Sequence, residues 1–190
     1  MIELNDNYLI GKGSERLCYR QPHEPDICIK IVHISGPRTL ARNQREIKYA
    51  KKYNQSNPYL TAIPKFYGTI DTNLGLGLRF QLIKDYDNKI SIKLSDYLAM
   101  NAADSRLLQK ILDLYQTFLG ALVLASDLHP GNLLLQKSSA EDYQLIMIDG
   151  FGNSDFIKVC DYSRFLFKKK LVRKFKRMLT QIGLPTEEIC

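Results

Sequence analysis

The sequence predicts an α+β protein in which an antiparallel five-stranded sheet around one helix is followed by a reduced, mostly helical part. Three observations predict it. Short β-branched runs separated by glycine or polar turns fill about residues 1–84. One stretch of helical periodicity interrupts them near residue 40. From about residue 90 the apolar spacing becomes helical, and strands followed by helices point to segregated layers.

Tyr8–Gly11 and Leu17–Tyr19 read as strands joined by Gly11–Lys12–Gly13–Ser14, a hairpin whose N–H groups can approach anionic oxygens closely. As a plain hairpin the same turn needs no ligand. Ile27–Val32 alternates and carries one lysine, Lys30, which is either an edge-strand charge or a buried cation with a partner. Pro37 suits a first helical turn, and Leu40, Ile47 and Ala50 recur at helical spacing until Asn54–Pro58 breaks the pattern. Glu46 lies on this helix, sixteen residues after Lys30, and is either that partner or one more solvated charge beside Arg45 and Lys48. Lys65–Ile70 and Leu78–Ile83, joined by the turn Asn73–Gly75, complete the five strands. The polar connector Lys84–Asn88 is a candidate hinge, at about 85–89, between lobes of about 1–84 and 90–190 in one domain. Beyond it, Leu94–Leu98 starts a short helix, and Ser105–Ala125 carries an apolar stripe wide enough for a core helix.

The 190 residues suffice for a real core, and the composition is ordinary for a globular protein. The N-terminus lacks the basic and apolar segments of a signal peptide, and the apolar run Phe118–Ala125 is too short to span a bilayer. The four cysteines have no zinc-ligand spacing and read as free thiols, which together predicts a cytoplasmic protein. The net charge of +7 is concentrated at the end: seven Lys/Arg and two Glu lie in residues 168–190, which leaves +2 for the rest. A nucleic-acid-binding body is therefore not implied, and no aromatic platform accompanies the basic segment.

The chemistry concentrates at Asp127–Leu–His–Pro–Gly–Asn132 and at Ile146–Met–Ile–Asp149–Gly–Phe–Gly152. A tight turn on Pro130 and Gly131 precedes a short apolar strand, and a second apolar strand ends at Asp149. That arrangement brings Asp127, Asn132 and Asp149 to the open end of a hairpin, where carboxylate and amide oxygens suit Mg²⁺ and hence a nucleotide. Gly11-x-Gly13, Lys30, Glu46, Asp127-x₄-Asn132 and Asp149–Gly–Phe–Gly152 occur in the order of the protein-kinase signature set.

On these motifs the chain resembles the protein-kinase-like superfamily, and its Asp127 loop is similar to those of aminoglycoside and choline phosphotransferases and small lipopolysaccharide kinases. Its length, the segment Leu82–Ser91 and the ending Ile148–Gly152 resemble the bacterial YrbL family, assigned to the PhoP regulatory network. The resemblance implies a small protein-kinase-like fold using ATP and Mg²⁺. Gly11, Gly13 and Ser14 would cover the phosphates, and Lys30, held by Glu46, would contact them. Asp127 would accept or orient an acceptor hydroxyl, and Asn132 and Asp149 would hold the metal. His129 would assist in its protonated form or stabilise the turn.

The chain departs from that pattern in three places. Ala125–Ser126 replaces the structural residues that usually precede the catalytic Asp, the metal motif has an extra Gly, and about forty residues follow Asp149. These departures favour a small-molecule, lipid-linked or self acceptor over a dedicated protein substrate. The alternative is a pseudokinase that binds nucleotide and acts by contact. Ser154–Ile182 places Phe167, Leu171, Phe175, Met178 and Ile182 on one helical face. Its basic residues, Lys168 to Arg177, are either a solvated face or a surface for acidic phospholipid or glycolipid.

Overall fold

The computed structural model describes residues 1–13, 15–33, 36–153, 160 and 162–189, and the side chain of Arg38 is left aside. Ser14 and residues 154–159 of the expected final helix lie outside the described residues. The chain divides into two units, one of Met1–Pro58 with Pro64–Ile83 and one of Tyr59–Ile63 with Lys84–Cys190.

The first unit is the five-stranded sheet and its helix. β1 (Leu9–Lys12), β2 (Arg16–Arg20), β3 (Ile27–Val32), β4 (Phe66–Thr72) and β5 (Gly75–Gln81) pair antiparallel in the order β1-β2-β3-β5-β4. Alternation divides their side chains between two faces. Tyr19, Ile29 and Ile31 form one buried cluster with Leu4 of the N-terminal segment. The opposite face carries Cys18, Cys28, Lys30, Leu78 and Phe80, since Cys18 faces Lys30, Lys30 faces Leu78 and Cys28 faces Phe80. α1 (Pro37–Ser56) starts with proline in its first turn, as expected, and ties to the sheet through Asn54, whose amide donates to the Phe66 carbonyl at 2.9 Å.

The buried face of α1 differs from the one its apolar spacing suggests. Leu40 is 56% exposed, whereas Thr39, Glu46, Tyr49, Ala50 and Tyr53 are buried. A carboxylate with two cationic partners occupies the centre of the helix's inner face, so hydropathy alone points the wrong way.

The second unit contains β6 (Ile92–Lys93), α2 (Leu94–Met100), α3 (Ser105–Gly120), β7 (Leu133–Lys137), β8 (Tyr143–Met147) and α4 (Arg164–Gln181). The strands form an antiparallel sheet in the order β6-β7-β8, and the Met147 N–H donates to the Ala62 carbonyl at 2.9 Å. Asp85 organises the connector by accepting from the Ser91 hydroxyl at 2.6 Å and the Lys137 N–H at 2.9 Å. α3 is capped by Asp104, which accepts from the Leu107 N–H at 2.8 Å, and α4 by Ser163. Phe175 of α4 packs edge-on against Tyr115 and Phe118 of α3, with ring centroids 5.3 and 6.0 Å away.

Helix was expected as far as Ala125, but α3 stops at Gly120. Leu122 takes a left-handed conformation, with φ +54°, and the buried residues Val123, Leu124 and Ala125 run on outside any helix. An unbroken apolar run reads alike in either conformation. Likewise α4 begins at Arg164, behind its Ser163 cap, so its described start is later than the expected Ser154. Among the described residues no helix is long and apolar enough to cross a membrane.

Tyr143 of β8 is buried beneath Arg106 and Lys110, and its hydroxyl has no hydrogen-bond partner among the described residues. Burial, then the neighbouring Tyr97, pushes its pKa up to about 12. In the unfolded chain the phenol ionises near pH 10. The stability this adds is complete below pH 10 and is lost as the pH rises toward 12, because the unfolded state releases its proton first. Tyr143→Phe should therefore change stability at pH 7 by only about 0–1 kcal/mol and reduce the loss at alkaline pH. Urea unfolding at pH 7 and pH 11 measures both effects.

Candidate functional site

In the second unit the two motif loops lie against each other. Ala125 and Phe151 form an antiparallel bridge, and the Gly152 N–H donates to the Leu124 carbonyl at 2.7 Å. The Gly150 carbonyl accepts from the Ser126 N–H at 2.8 Å, the Asp127 N–H at 3.0 Å and the Ser126 hydroxyl at 2.7 Å. Ser126 is thus a residue shaping the candidate site that sequence reasoning missed. It supplies structural hydrogen bonds just ahead of Asp127, where the motif comparison suggested that such bonds had been lost.

Gly150 itself has φ +77°, a conformation that disfavours L side chains, and a Cβ there would sit 2.7 Å from both Cβ and O of Asp127 and 3.2 Å from the Asn132 amide nitrogen. Only glycine permits this approach, which sets Asp149 one residue from contact with the Asp127 loop. The Asp149 carboxylate accepts from the Gly150 N–H at 2.7 Å.

Asp127 presents its carboxylate outward, with 65% of the side chain exposed. Asn132, at the end of the turn Pro130–Asn132, donates its amide N–H to the Asp127 carbonyl at 2.8 Å, with the Asp127 carboxylate 3.5 Å away. Because the amide nitrogen holds the loop, Oδ1 is the Asn132 atom suited to a cation. His129 Nδ1 accepts from the Gly131 N–H at 3.1 Å, which places the proton of a neutral ring on Nε2. Nε2 lies 3.8 Å from the Asp127 carboxylate. Of the two roles expected for His129, the turn-stabilising bond is the one observed.

Among the described residues no group of three or more His, Cys, Asp and Glu side chains is gathered to hold a metal ion. Asn132 and Asp149 still fit a magnesium nucleotide, because Mg²⁺ commonly takes one or two protein ligands and completes its shell with phosphate and water.

In the first unit, Lys30 donates to Glu46 at 3.0 Å and lies 4.4 Å from the Phe80 ring centroid, a cation–π contact. Of the two readings of this strand lysine, the structure gives the buried cation with a partner. Arg16 of β2 is a second buried cation on the same carboxylate, hydrogen-bonded to the other oxygen of Glu46. Sequence reasoning missed Arg16. The available signal was strand alternation, which puts Arg16 on the face of Cys18 and so of Lys30.

Gly11 is half-buried against Cys18, and the Gly13 N–H donates to the Arg16 carbonyl at 2.8 Å, so that donor closes the hairpin. Cys18, Cys28 and Cys160 are free thiols. The Cys28 thiol is held well above its usual pKa, first by its hydrogen bond with Cys18 and then by burial. Of the basic residues between 168 and 177, Lys168, Lys169, Arg173 and Arg177 are exposed, whereas Lys170 is buried.

A family model described as PhoP regulatory network protein YrbL matches residues 2–183. The chain belongs to the YrbL family. It is 28% identical over 187 residues to the protein YrbL of Escherichia coli (strain K12), a match covering 97% of this chain and 89% of that protein. The YrbL protein of Shigella flexneri matches with the same identity and coverage.

Two substitutions test this geometry. Glu46→Gln leaves two buried cations on a neutral amide and should cost about 3–5 kcal/mol in urea unfolding, with little salt dependence. Gly150→Ala should cost about 1–3 kcal/mol and shift the amide resonances of Ser126 and Asp127, through its φ and its contacts.

Proposed function

We propose that this chain has a protein-kinase-like fold and transfers the γ-phosphoryl group of Mg²⁺-ATP to a hydroxyl. The observation that carries the reading is the closure of the Asp127–Asn132 loop on Gly150, with an exposed Asp127 carboxylate and Asp149 on the adjoining residue. Within the first unit, the Lys30–Glu46 pair matches the ion pair that the resemblance implies.

When bound, the magnesium nucleotide supplies the phosphoryl group and neutralises its charge. Asn132 Oδ1 and the Asp149 carboxylate would ligate the metal. Asp127 would orient the acceptor hydroxyl and take its proton as the new P–O bond forms and ADP leaves with the electron pair of the broken bond. The acceptor class that the motifs favour is a small molecule, a lipid-linked group or the protein itself.

The second reading is a nucleotide-binding module that regulates without turnover, and the family's description as a regulatory-network protein favours it. ATP turnover and autophosphorylation with Mg²⁺ or Mn²⁺, measured beside Asp127→Ala, separate the two. The phosphotransferase reading expects turnover that falls at least about 100-fold in the variant. A metal-dependent thermal shift with ATP and no turnover in either protein selects the regulatory reading. Neither shift nor turnover removes the nucleotide site itself.

A further inference from the structure

Two members of the basic segment of α4 reach protein acceptors: Lys170, which is buried, and Lys174, which is half-buried. Lys174 Nζ donates to the Ser126 carbonyl, the peptide unit immediately before Asp127. Four residues earlier, Lys170 Nζ donates at 3.0 Å to the side-chain oxygen of Asn153, which is fully buried at the end of the Asp149–Gly–Phe–Gly run. One helical turn therefore reaches both motif loops, on the same side where Ala125 bridges Phe151.

A generic core contact explains this poorly. Burying a lysine costs more than burying a leucine or methionine of similar length, and like charges four residues apart on a helix oppose each other. The Lys174 pKa is lowered accordingly, first by burial and then by the Lys170 charge. Each lysine instead meets an acceptor on a different loop. The helix that carries them is anchored by the buried side chains Phe167, Leu171, Phe175 and Met178, so the two ammonium groups have a rigid base.

We propose that Lys174 and Lys170 are positioning residues, through which α4 sets the placement of the Asp127 segment relative to the Asp149 segment. Their part in catalysis rests on the phosphotransferase reading; the positioning itself does not. Lys174 acts on the Asp127 side and Lys170 on the Asp149 side, with no contact to the reacting atoms required of either.

The experiment is amide hydrogen exchange on the full chain, comparing wild type with Lys174→Met and Lys174→Arg. Lys174→Met should speed exchange at Ser126, Asp127 and Gly152 by about 10-fold or more while leaving Leu114 and Phe118 of α3 unchanged, and Lys174→Arg should largely restore protection. Unchanged exchange at residues 126 and 127, or an equal rise throughout α3, would overturn the proposal. Should Lys174→Met fail to fold, the Lys174 ammonium resonance of the wild type decides. Slow exchange with solvent, in contrast to Lys168 and Lys169, supports the hydrogen bond, and fast exchange like theirs removes it.

Where the wild type turns over ATP, Lys174→Met should lower kcat about 10-fold with KM for ATP within about twofold. Absent turnover would leave the exchange result standing by itself, independent of the phosphotransferase reading.

Discussion

The carbonyl oxygen of Gly150 is the point on which the candidate site turns. Three donors converge on it, two backbone N–H groups and the Ser126 hydroxyl, and all three come from Ser126 and Asp127, where the motif loop begins. A carbonyl has two lone pairs, so three donors form a shared, multi-centre arrangement that tolerates little displacement. The absence of a side chain at Gly150 allows the Asp127 backbone to come close enough for these bonds. The Asn132 amide closes the same loop from its far end, and the His129 ring braces the turn between them.

The other fixed charge arrangement follows a different logic. Glu46 has its carboxylate 4% exposed and shared between two cations from neighbouring strands. Such a cluster gains little net stability over a packed apolar core, because desolvating three charges offsets most of their attraction. What it does provide is orientation. The Lys30 ammonium is held against both a carboxylate and the Phe80 ring, leaving it few alternative rotamers.

The sheet was legible in the sequence because alternation and turn residues agree from Tyr8 to Gln81, and the motif residues of the Asp127 loop were legible from their spacing. The rest failed for identifiable reasons. The inner face of α1 is built around Glu46, so its hydropathy pattern misplaced Leu40. The end of α3 lay inside a continuous apolar run, in which only the left-handed Leu122 marks the stop. Arg16 went unremarked because its partner is thirty residues away. Lys170 looked solvated by type, although it stands three residues after Phe167 and one before Leu171 on the buried stripe. Ser126 could be counted only as an absence, since its hydroxyl finds its acceptor across 24 residues.

The short segment Tyr59–Ile63 belongs with the second unit although the first unit's sequence surrounds it on both sides. Its Ala62 carbonyl takes the Met147 N–H at the end of β8, two residues before Asp149. The backbone therefore passes from one unit to the other three times. Neither half is a contiguous piece of chain, and a fragment beginning at Lys84 would lack the Ala62 carbonyl that accepts from the Met147 N–H at the end of β8. Recombination at a single join would not transplant either half intact.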